Sequence, residues 1–306
     1  MLLVLFKALS FVAVIAIGCF GRYKGFFKES DSELITKLVL NITLPAAVLS
    51  NFSSFEREPI LFLLVLLGLG WNLLLMFIGY ILSRKGTRDQ KIYYMMNLTA
   101  YNIGSFSMPF VQGFFGGSYV IATCMFDSGN ALISSGGSYA AVNAIVGSAD
   151  GSPVGMKDVF KKLLASPALM LYIVVFFLAL ADFKMPEALS NLLSTTASAN
   201  GFLAMFMFGL TLNFNVPKDD IWEIVKVLTL RYLLSAIAAL AIYFVIPFPE
   251  YIKIVLTILV FSPSSALVPT FTQMSGGNTS QASLSGSISI VISIIIISTL
   301  MVVLHV

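Results

Sequence analysis

The sequence predicts an all-α polytopic membrane protein whose ten transmembrane helices form a 5+5 inverted repeat. Of its 306 residues, 58% are hydrophobic and 11% are charged, whereas a soluble domain carries about 25% charged residues. Charge-free runs such as 60–83 and 282–304 exceed the roughly 20 apolar residues that cross a bilayer. The loop charges and a weak internal repeat then set the orientation of the two halves.

The apolar runs and the polar connections between them define ten spans. They lie at 2–20, 34–52, 60–83, 91–116, 118–147, 162–181, 187–213, 221–246, 250–275 and 279–305. The first five-helix half is therefore 1–147, the second is 162–306, and a short linker, 148–161, joins them. Because the first run lacks a basic flank and a cleavage site, we expect a retained helix there rather than a signal peptide.

Basic residues concentrate in the odd-numbered loops, which are the loops that follow spans one, three, five and seven. These loops carry Arg22, Lys24, Lys28, Arg84, Lys85, Arg88, Lys91, Lys157, Lys161, Lys162, Lys218 and Lys226. The even-numbered loops carry only Arg57, Lys184 and Lys253. Since basic loops stay in the cytoplasm, we expect both termini outside the cell in a multi-pass protein of the plasma membrane.

A weak internal repeat supports the division into halves. A shift of 160 residues lays "MPFVQGFFGG" (108–117) over "VPTFTQMSGG" (268–277), so that Pro109 meets Pro269 and two Gly-Gly pairs coincide. The matched segments belong to the fourth helix of each half. Because each half has an odd number of helices, the second half inserts in the inverted orientation.

Helices four and nine are interrupted near their centres. The stretches "YNIGSFSMPF" (101–110) and "FSPSSALVPT" (261–270) place Asn, Gly, Ser and Pro where a membrane helix normally has Leu and Val. Irregular backbone survives at this depth only where protein or a water-filled cavity receives its polar groups. A matched pair of such helices is typical of a transporter binding site. The sequence therefore predicts broken, crossing helices four and nine.

The expected site suits an anion. Pro fits the first turn of a helix, so Pro109–Gly116 and Pro269–Gly276 are predicted half-helices whose positive N-terminal ends meet at the midplane. The candidate substrate-binding residues are Asn102, Gly104, Ser105, Ser107, Pro109, Ser262, Ser264, Ser265 and Pro269, with Asn41 and Pro45 from span two. The alternative interpretation is that Pro and Gly merely kink these helices.

Asp127 is the acidic residue that lies well inside a span, roughly 13 Å deep at 1.5 Å per residue. An intramembrane carboxylate is a candidate functional group, and Asn130 shares its helix face. Asp127 could carry a proton, help to hold Na⁺ or stabilise the crossing. The alternative is an ion pair with Arg231. Lys7, Lys37 and Arg231 are expected to extend their charges to the membrane surface.

The sequence lacks the residues that several classes of function require. The single histidine, His305, is the penultimate residue, so intramembrane Ser/His proteolysis and histidine-based metal sites lack their parts. The sequence shows no nucleotide-binding glycine motif beside a soluble domain. We therefore expect no enzyme, no cofactor and no nucleic-acid partner. The expected partners are the lipid bilayer and a small organic anion, with a homodimer left open.

The chain resembles the auxin efflux carrier family in its short prokaryotic form. The residues that carry the resemblance are "NITLPAAVLSNF" (41–52), "NIGSFSMPF" (102–110), and "SPSSALVPTF" (262–271) followed by "GGNTSQAS" (276–283). The resemblance implies a fold similar to that of bile acid/sodium symporters. It also implies a scaffold of spans one, two, six and seven, and a mobile transport domain of spans three to five and eight to ten.

The working hypothesis is a secondary transporter of a small carboxylate, such as malate, malonate or an auxin-like acid. The resemblance implies elevator-type alternating access with coupling to Na⁺ or H⁺ left open. One alternative is a sodium- or proton-coupled symporter or antiporter of the bile acid symporter type. The other is a transporter-like sensor that moves no substrate.

Overall fold

The computed structural model describes residues 2–28, 30–52, 58–147, 156–212 and 221–304, and every regular element in these ranges is helical. The linker residues 148–155 and His305 lie outside them. The helices are α1 (Leu2–Tyr23), α2 (Asp31–Leu38), α3 (Leu44–Ser50), α4 (Pro59–Ser83), α5 (Arg88–Leu98), α6 (Met108–Phe114), α7 (Gly117–Leu132), α8 (Ser138–Val146), α9 (Met156–Leu164), α10 (Pro167–Leu180), α11 (Glu187–Thr211), α12 (Ile221–Leu240), α13 (Glu250–Leu259), α14 (Val268–Met274) and α15 (Thr279–Val303).

Six helical segments of the described chain are long and apolar enough to cross a membrane. They are Phe6–Tyr23, Asp31–Ser50, Pro59–Ser83, Glu187–Thr211, Ile221–Val245 and Thr279–Val303. The prediction of an all-helical polytopic membrane protein is therefore confirmed. The count of ten spans and the inverted repeat stay predictions, because the other segments are short or interrupted.

Proline produces π-helical turns in two of the predicted spans. The turns at Val39–Thr43 and Ile103–Ser107 each lie shortly before a proline, Pro45 and Pro109 respectively. A proline ring clashes with the carbonyl group four residues earlier, and a wider turn accommodates it. The helix that contains Pro45 consequently continues without a break from Asp31 to Ser50.

Span four is broken at a different point from the predicted one. α5 ends at Leu98, Thr99 is extended, Ala100 has a φ of 57°, and the helix resumes at Ile103 through the π-helical turn. The predicted start of the second half-helix at Pro109 is therefore wrong by six residues. In span nine, by contrast, α14 begins at Val268 and holds Pro269 in its first turn.

Span six begins later than predicted, since a separate short helix, α9, comes first. Ser166 has φ −83° and ψ 110°, and its side chain caps α10 by accepting a hydrogen bond from the Leu169 N–H. A residue before proline avoids the helical region, so Pro167 separates the two helices and fixes the start of α10.

Two helix pairs pack with their backbones in close contact. In the pair α4–α7, a Cβ atom placed on Gly68 would lie 2.0 Å from the Phe126 carbonyl oxygen, and one on Gly129 would lie 2.0 Å from that of Val65. In the pair α1–α11, a Cβ on Gly209 would lie 2.3 Å from the Ile15 carbonyl oxygen. Small residues at such positions let membrane helices approach closely and gain van der Waals contact.

Candidate functional site

The two interrupted helices meet at their interruptions. The Asn102 N–H donates to the Pro263 carbonyl oxygen at 2.8 Å, and the Ser265 N–H donates to the Ala100 carbonyl oxygen at 2.7 Å. Tyr101 and Ser264 form an antiparallel bridge between them. We call residues 99–102 and 262–265 the paired breaks. Each break supplies part of the hydrogen bonding that the other lost when its helix ended.

Buried side chains satisfy further backbone groups of the paired breaks. Asn72 of α4 accepts from the Ala100 N–H at 2.8 Å, and Ser289 of α15 accepts from the Ser264 N–H at 3.1 Å. Asn130 of α7 accepts from the Tyr101 N–H at 3.0 Å and donates to the Tyr101 carbonyl oxygen at 2.8 Å. Unpaired backbone groups at this depth cost several kcal/mol each, so these three side chains make the break tolerable.

Arg231 of α12 forms hydrogen bonds with the backbone at the C-terminal end of α5. Its Nη1 donates to the carbonyl oxygens of residues 97, 98 and 99 at 2.9, 2.8 and 3.1 Å, and its Nη2 donates to the Ser262 carbonyl oxygen at 3.3 Å. The side chain is fully buried, with the guanidinium carbon 4.0 Å from the centre of the Tyr101 ring. A cation is favourable at the negative C-terminal end of a helix.

One prediction about Arg231 and one alternative interpretation are wrong for this reason. Its charge does not extend to the membrane surface, because the guanidinium lies inside the protein against the paired breaks. It also forms no ion pair with Asp127 among the described residues, since its hydrogen bonds go to carbonyl oxygens. Lys7 of α1 was expected, like Arg231, to extend its charge to the membrane surface, and it donates to the Gly113 carbonyl oxygen at 2.9 Å.

Asp127 of α7 lies beside the first break and is 3% exposed. Its Oδ1 accepts a hydrogen bond from Asn130 Nδ2 at 2.7 Å, and its Oδ2 accepts one from the Tyr172 hydroxyl of α10. Gly104 passes close to this pair, since a Cβ atom there would lie 2.8 Å from the Tyr172 oxygen and 3.2 Å from Asp127 Oδ2. Glycine is therefore the residue that fits at position 104.

A cavity of about 600 Å³ adjoins the paired breaks. One wall comes from α2 and the π-helical turn after it, from α10 and from α11, and includes Thr36, Leu40, Tyr172, Met207 and Phe208. The opposite wall comes from the paired breaks and from α7, α14 and α15. Pockets for small organic molecules combine mostly apolar walls with a few convergent polar groups, and this cavity has that character.

Seven of the residues chosen from the sequence line this cavity. They are Asn102, Gly104, Ser105, Asp127, Ser264, Ser265 and Pro269. The Ser264 hydroxyl is buried and has no hydrogen-bond partner among the described atoms. The described lining residues include one carboxylate and no basic side chain.

The other chosen residues lie elsewhere. Ser107 and Ser262 are fully buried and hydrogen-bond each other at 2.6 Å. Asn41 is exposed and donates to the Lys37 carbonyl oxygen at 2.9 Å, so the expected lining of the cavity by Asn41 and Pro45 is wrong. Pro109 is buried within its helix, and Asn130 contacts the backbone of the break rather than the cavity.

The cavity extends toward the end of the molecule that carries the odd-numbered loops. Its lining includes Thr36 in α2, Ser166 before α10 and Thr211 at the end of α11, and all three lie close in the chain to such a loop. Among the described residues, no group of three His, Cys, Asp or Glu side chains is arranged to hold a metal ion.

α6, which follows the first break, forms contacts with α11 and α1. Gln112 donates to the Ala197 carbonyl oxygen at 3.3 Å and accepts from the buried Asn200 at 3.4 Å. Asn200 in turn accepts from the Thr43 hydroxyl at 2.9 Å. Phe11 of α1 packs on Phe110, with the ring centres 4.7 Å apart.

Sequence reasoning missed the residues that support the breaks. Asn72 carried a signal, because it is the one amide side chain in the charge-free run 60–83. Tyr172 and Ser289 carried none, since tyrosine and serine are common in membrane helices and their partners lie 45 and 25 residues away. Arg231 was noticed, but its partners are distant carbonyl groups that no local pattern indicates.

Comparison with known proteins agrees with the sequence resemblance. Residues 4–149 match a family described as membrane transport protein. Over 267 residues, the chain is 23% identical to an uncharacterized transporter of Methanothermobacter thermautotrophicus (strain Delta H), and the match covers 85% of this chain and 84% of that protein. These similarities are consistent with the resemblance, carried by the paired breaks, to the auxin efflux carrier family of membrane transport proteins.

Proposed function

We propose that this protein is a secondary transporter of a small organic carboxylate, such as malate, malonate or an auxin-like acid. The observation that carries the proposal is the cavity at the paired breaks, where Asn102, Ser264 and Ser265 line one space. A transporter binds its substrate where discontinuous helices meet near the membrane midplane. The family match supports transport as the activity.

The polarity of the first break favours an anion. Residues 103–114 form one helical segment whose first residues, Ile103, Gly104 and Ser105, line the cavity. The first N–H groups of a helix lack partners within the helix, and this end carries partial positive charge. The buried Ser264 hydroxyl adds a donor. Met207 and Phe208 offer apolar surface for the substrate's carbon skeleton.

The cavity's position between two groups of helices supports alternating access. The scaffold would comprise α1–α3, α10 and α11, and the transport domain would comprise α4–α8 and α12–α15. Each group contains one of the close glycine pairs, so each would move as a rigid body. With basic odd-numbered loops in the cytoplasm of a plasma-membrane protein and both termini outside, the cavity is open to the cytoplasm in this conformation.

Uptake into proteoliposomes tests the proposal. A panel of labelled malate, malonate and indole-3-acetate should show saturable, protein-dependent uptake of at least one acid. Asn102→Ala should reduce that uptake at least tenfold, because the cavity loses an amide next to the helix N-terminus. Asn191→Ala removes an exposed amide from α11 and is the matched control. Wild-type uptake by Asn102→Ala, or no uptake of any acid, would contradict the proposal.

A further inference from the structure

The cavity proposed for an anion contains a carboxyl group. Asp127 lines it together with Asn102, Ser264 and Ser265, and its described lining offers no basic side chain to balance a second negative charge. Two carboxylates that share a site of low dielectric constant destabilise each other strongly, and binding a proton to one of them removes the repulsion.

Few groups around Asp127 could hold it ionised beside a bound anion. α4 and α10, which pack against α7, carry no charged residue, and Glu250 and Lys253 of α13 form no ion pair with Asp127 among the described residues. The titratable neighbours are Tyr172, which donates to Oδ2, and Cys124 on the preceding turn of α7.

Arg231 does not supply the positive charge that would balance a second anion, although it is buried near the same break. Its hydrogen bonds go to carbonyl oxygens at the end of α5 and to Ser262, and the Tyr101 ring lies against its guanidinium group. The electrostatic balance at Asp127 therefore depends on uncharged donors, which are the side chains of Asn130 and Tyr172 and the backbone N–H of Gly104.

We propose that Asp127 binds one proton when the substrate anion binds, so that the protein is a proton–anion symporter. The proposal rests on the proposed function. The proton comes from the aqueous cavity and ends on a carboxyl oxygen of Asp127, with no covalent change in the substrate. Tyr172 can hydrogen-bond Asp127 in both protonation states, because its hydroxyl donates to a carboxylate and accepts from a carboxylic acid.

Tyr172 would also connect the proton to domain movement. It lies on α10 in the proposed scaffold, whereas Asp127 lies on α7 in the proposed transport domain. The hydrogen bond between them joins the two groups in the cytoplasm-facing conformation. A protonated Asp127 loses the charge that this bond stabilises, and the transport domain then separates from α10 at lower cost.

Binding measured as a function of pH tests the inference. The probes are methanesulfonate and benzenesulfonate, which keep their charge between pH 5.5 and 7.5, so any pH dependence comes from the protein. In lipid nanodiscs we expect wild-type affinity to rise as the pH falls, by up to about tenfold per pH unit for one linked proton. Asp127→Asn, which resembles the protonated acid, should bind independently of pH and no more weakly than wild type at pH 5.5.

Two further variants make the outcome specific. Asp182→Asn removes an exposed acid near the end of α10 and should keep the wild-type pH profile. Tyr172→Phe removes the donor that favours the ionised carboxylate, so its affinity should begin to rise at a higher pH than in wild type. If Asp127→Asn does not fold, Tyr172→Phe is the deciding variant. A pH dependence of affinity in Tyr172→Phe that equals that of wild type then overturns the inference.

The possible failures are distinguishable. Wild-type binding that is independent of pH, a pH dependence that persists in Asp127→Asn, or loss of all binding in that variant would overturn proton coupling while leaving anion transport intact. Failure of the wild type to bind any sulfonate at any pH, combined with no uptake of the carboxylate panel, would overturn the proposed function and this inference together.

Discussion

A buried arginine of α12 is the most unusual residue that contacts the paired breaks. Arg231 is fully enclosed, and its Nη1 satisfies three consecutive carbonyl oxygens at the end of α5. Those groups have no intrahelical partner, because the helix ends at Leu98. Arg231 therefore stabilises the point at which α5 ends and the first break begins.

Replacing Arg231 should destabilise the protein. In Arg231→Met the three carbonyl oxygens lose their donor, and each buried unsatisfied group costs about 1–3 kcal/mol. We expect a clear fall in the thermal unfolding temperature measured in detergent. Lys226→Met on the same helix removes an exposed ion pair with Glu223, which is worth about 1 kcal/mol or less. Equal stability of the two variants would contradict the role given to Arg231.

Position 104 tests the packing of the first break against Asp127 and Tyr172. In Gly104→Ala the new Cβ lies 2.8 Å from the Tyr172 oxygen, so the hydrogen-bonded pair must shift away from the first break. We expect at least a tenfold loss of carboxylate uptake in a protein that still folds. Gly116→Ala is the matched control, because nothing lies within 4 Å of a Cβ there. Normal uptake by Gly104→Ala would show that this close packing is dispensable.

At the scale of helices, the close glycine pairs hold neighbouring elements together. α4 and α7 approach at Gly68 and Gly129, so that Asn72 and Asn130 reach the same break from two helices. These two amides also contact each other at 3.1 Å. The register between α4 and α7 therefore determines whether the first break receives its hydrogen bonds.

A methyl group between α4 and α7 should disturb this register. In Gly68→Ala the added Cβ would meet the Phe126 carbonyl oxygen at 2.0 Å, and overpacking of this kind costs typically about 1–3 kcal/mol. We expect a lower thermal unfolding temperature and reduced uptake. Gly70→Ala, on the same helix with open space around it, should be neutral or slightly stabilising. The opposite order of stability would contradict close packing of this pair.

At the scale of the whole molecule, much of the architecture follows from the sequence. The apolar runs predicted the membrane helices, because bilayer thickness fixes their length. The polar stretches at 101–110 and 261–270 indicated both interruptions, because hydrocarbon forbids unpaired backbone. The first interruption nevertheless begins at Thr99, before its stretch. Asn102, Ser264 and Ser265 were chosen on that basis, and the structure places them in one cavity.

The sequence could not predict the long-range partners. Ser107 and Ser262 resemble ligand-binding serines in the sequence. They are hydrogen-bonded to each other, although 155 residues separate them along the chain. The restart of helix four at Ile103 depends on pairing with Pro263, which stabilises a break earlier than Pro109 suggests. Tertiary contacts of this kind override local helix signals, as they do for secondary structure in general.

The central claim is that two rigid groups of helices move relative to each other around a carboxylate at the paired breaks. Spin-label distances in nanodiscs test it, with labels at the exposed positions Leu192 of the proposed scaffold and Leu66 and Phe244 of the proposed transport domain, after replacement of Cys19 and Cys124 by alanine. We expect the Leu192–Phe244 distance to show two populations whose ratio changes with added carboxylate, while Leu66–Phe244 keeps one. An unchanged Leu192–Phe244 distance, or an equal change in both, would contradict the account.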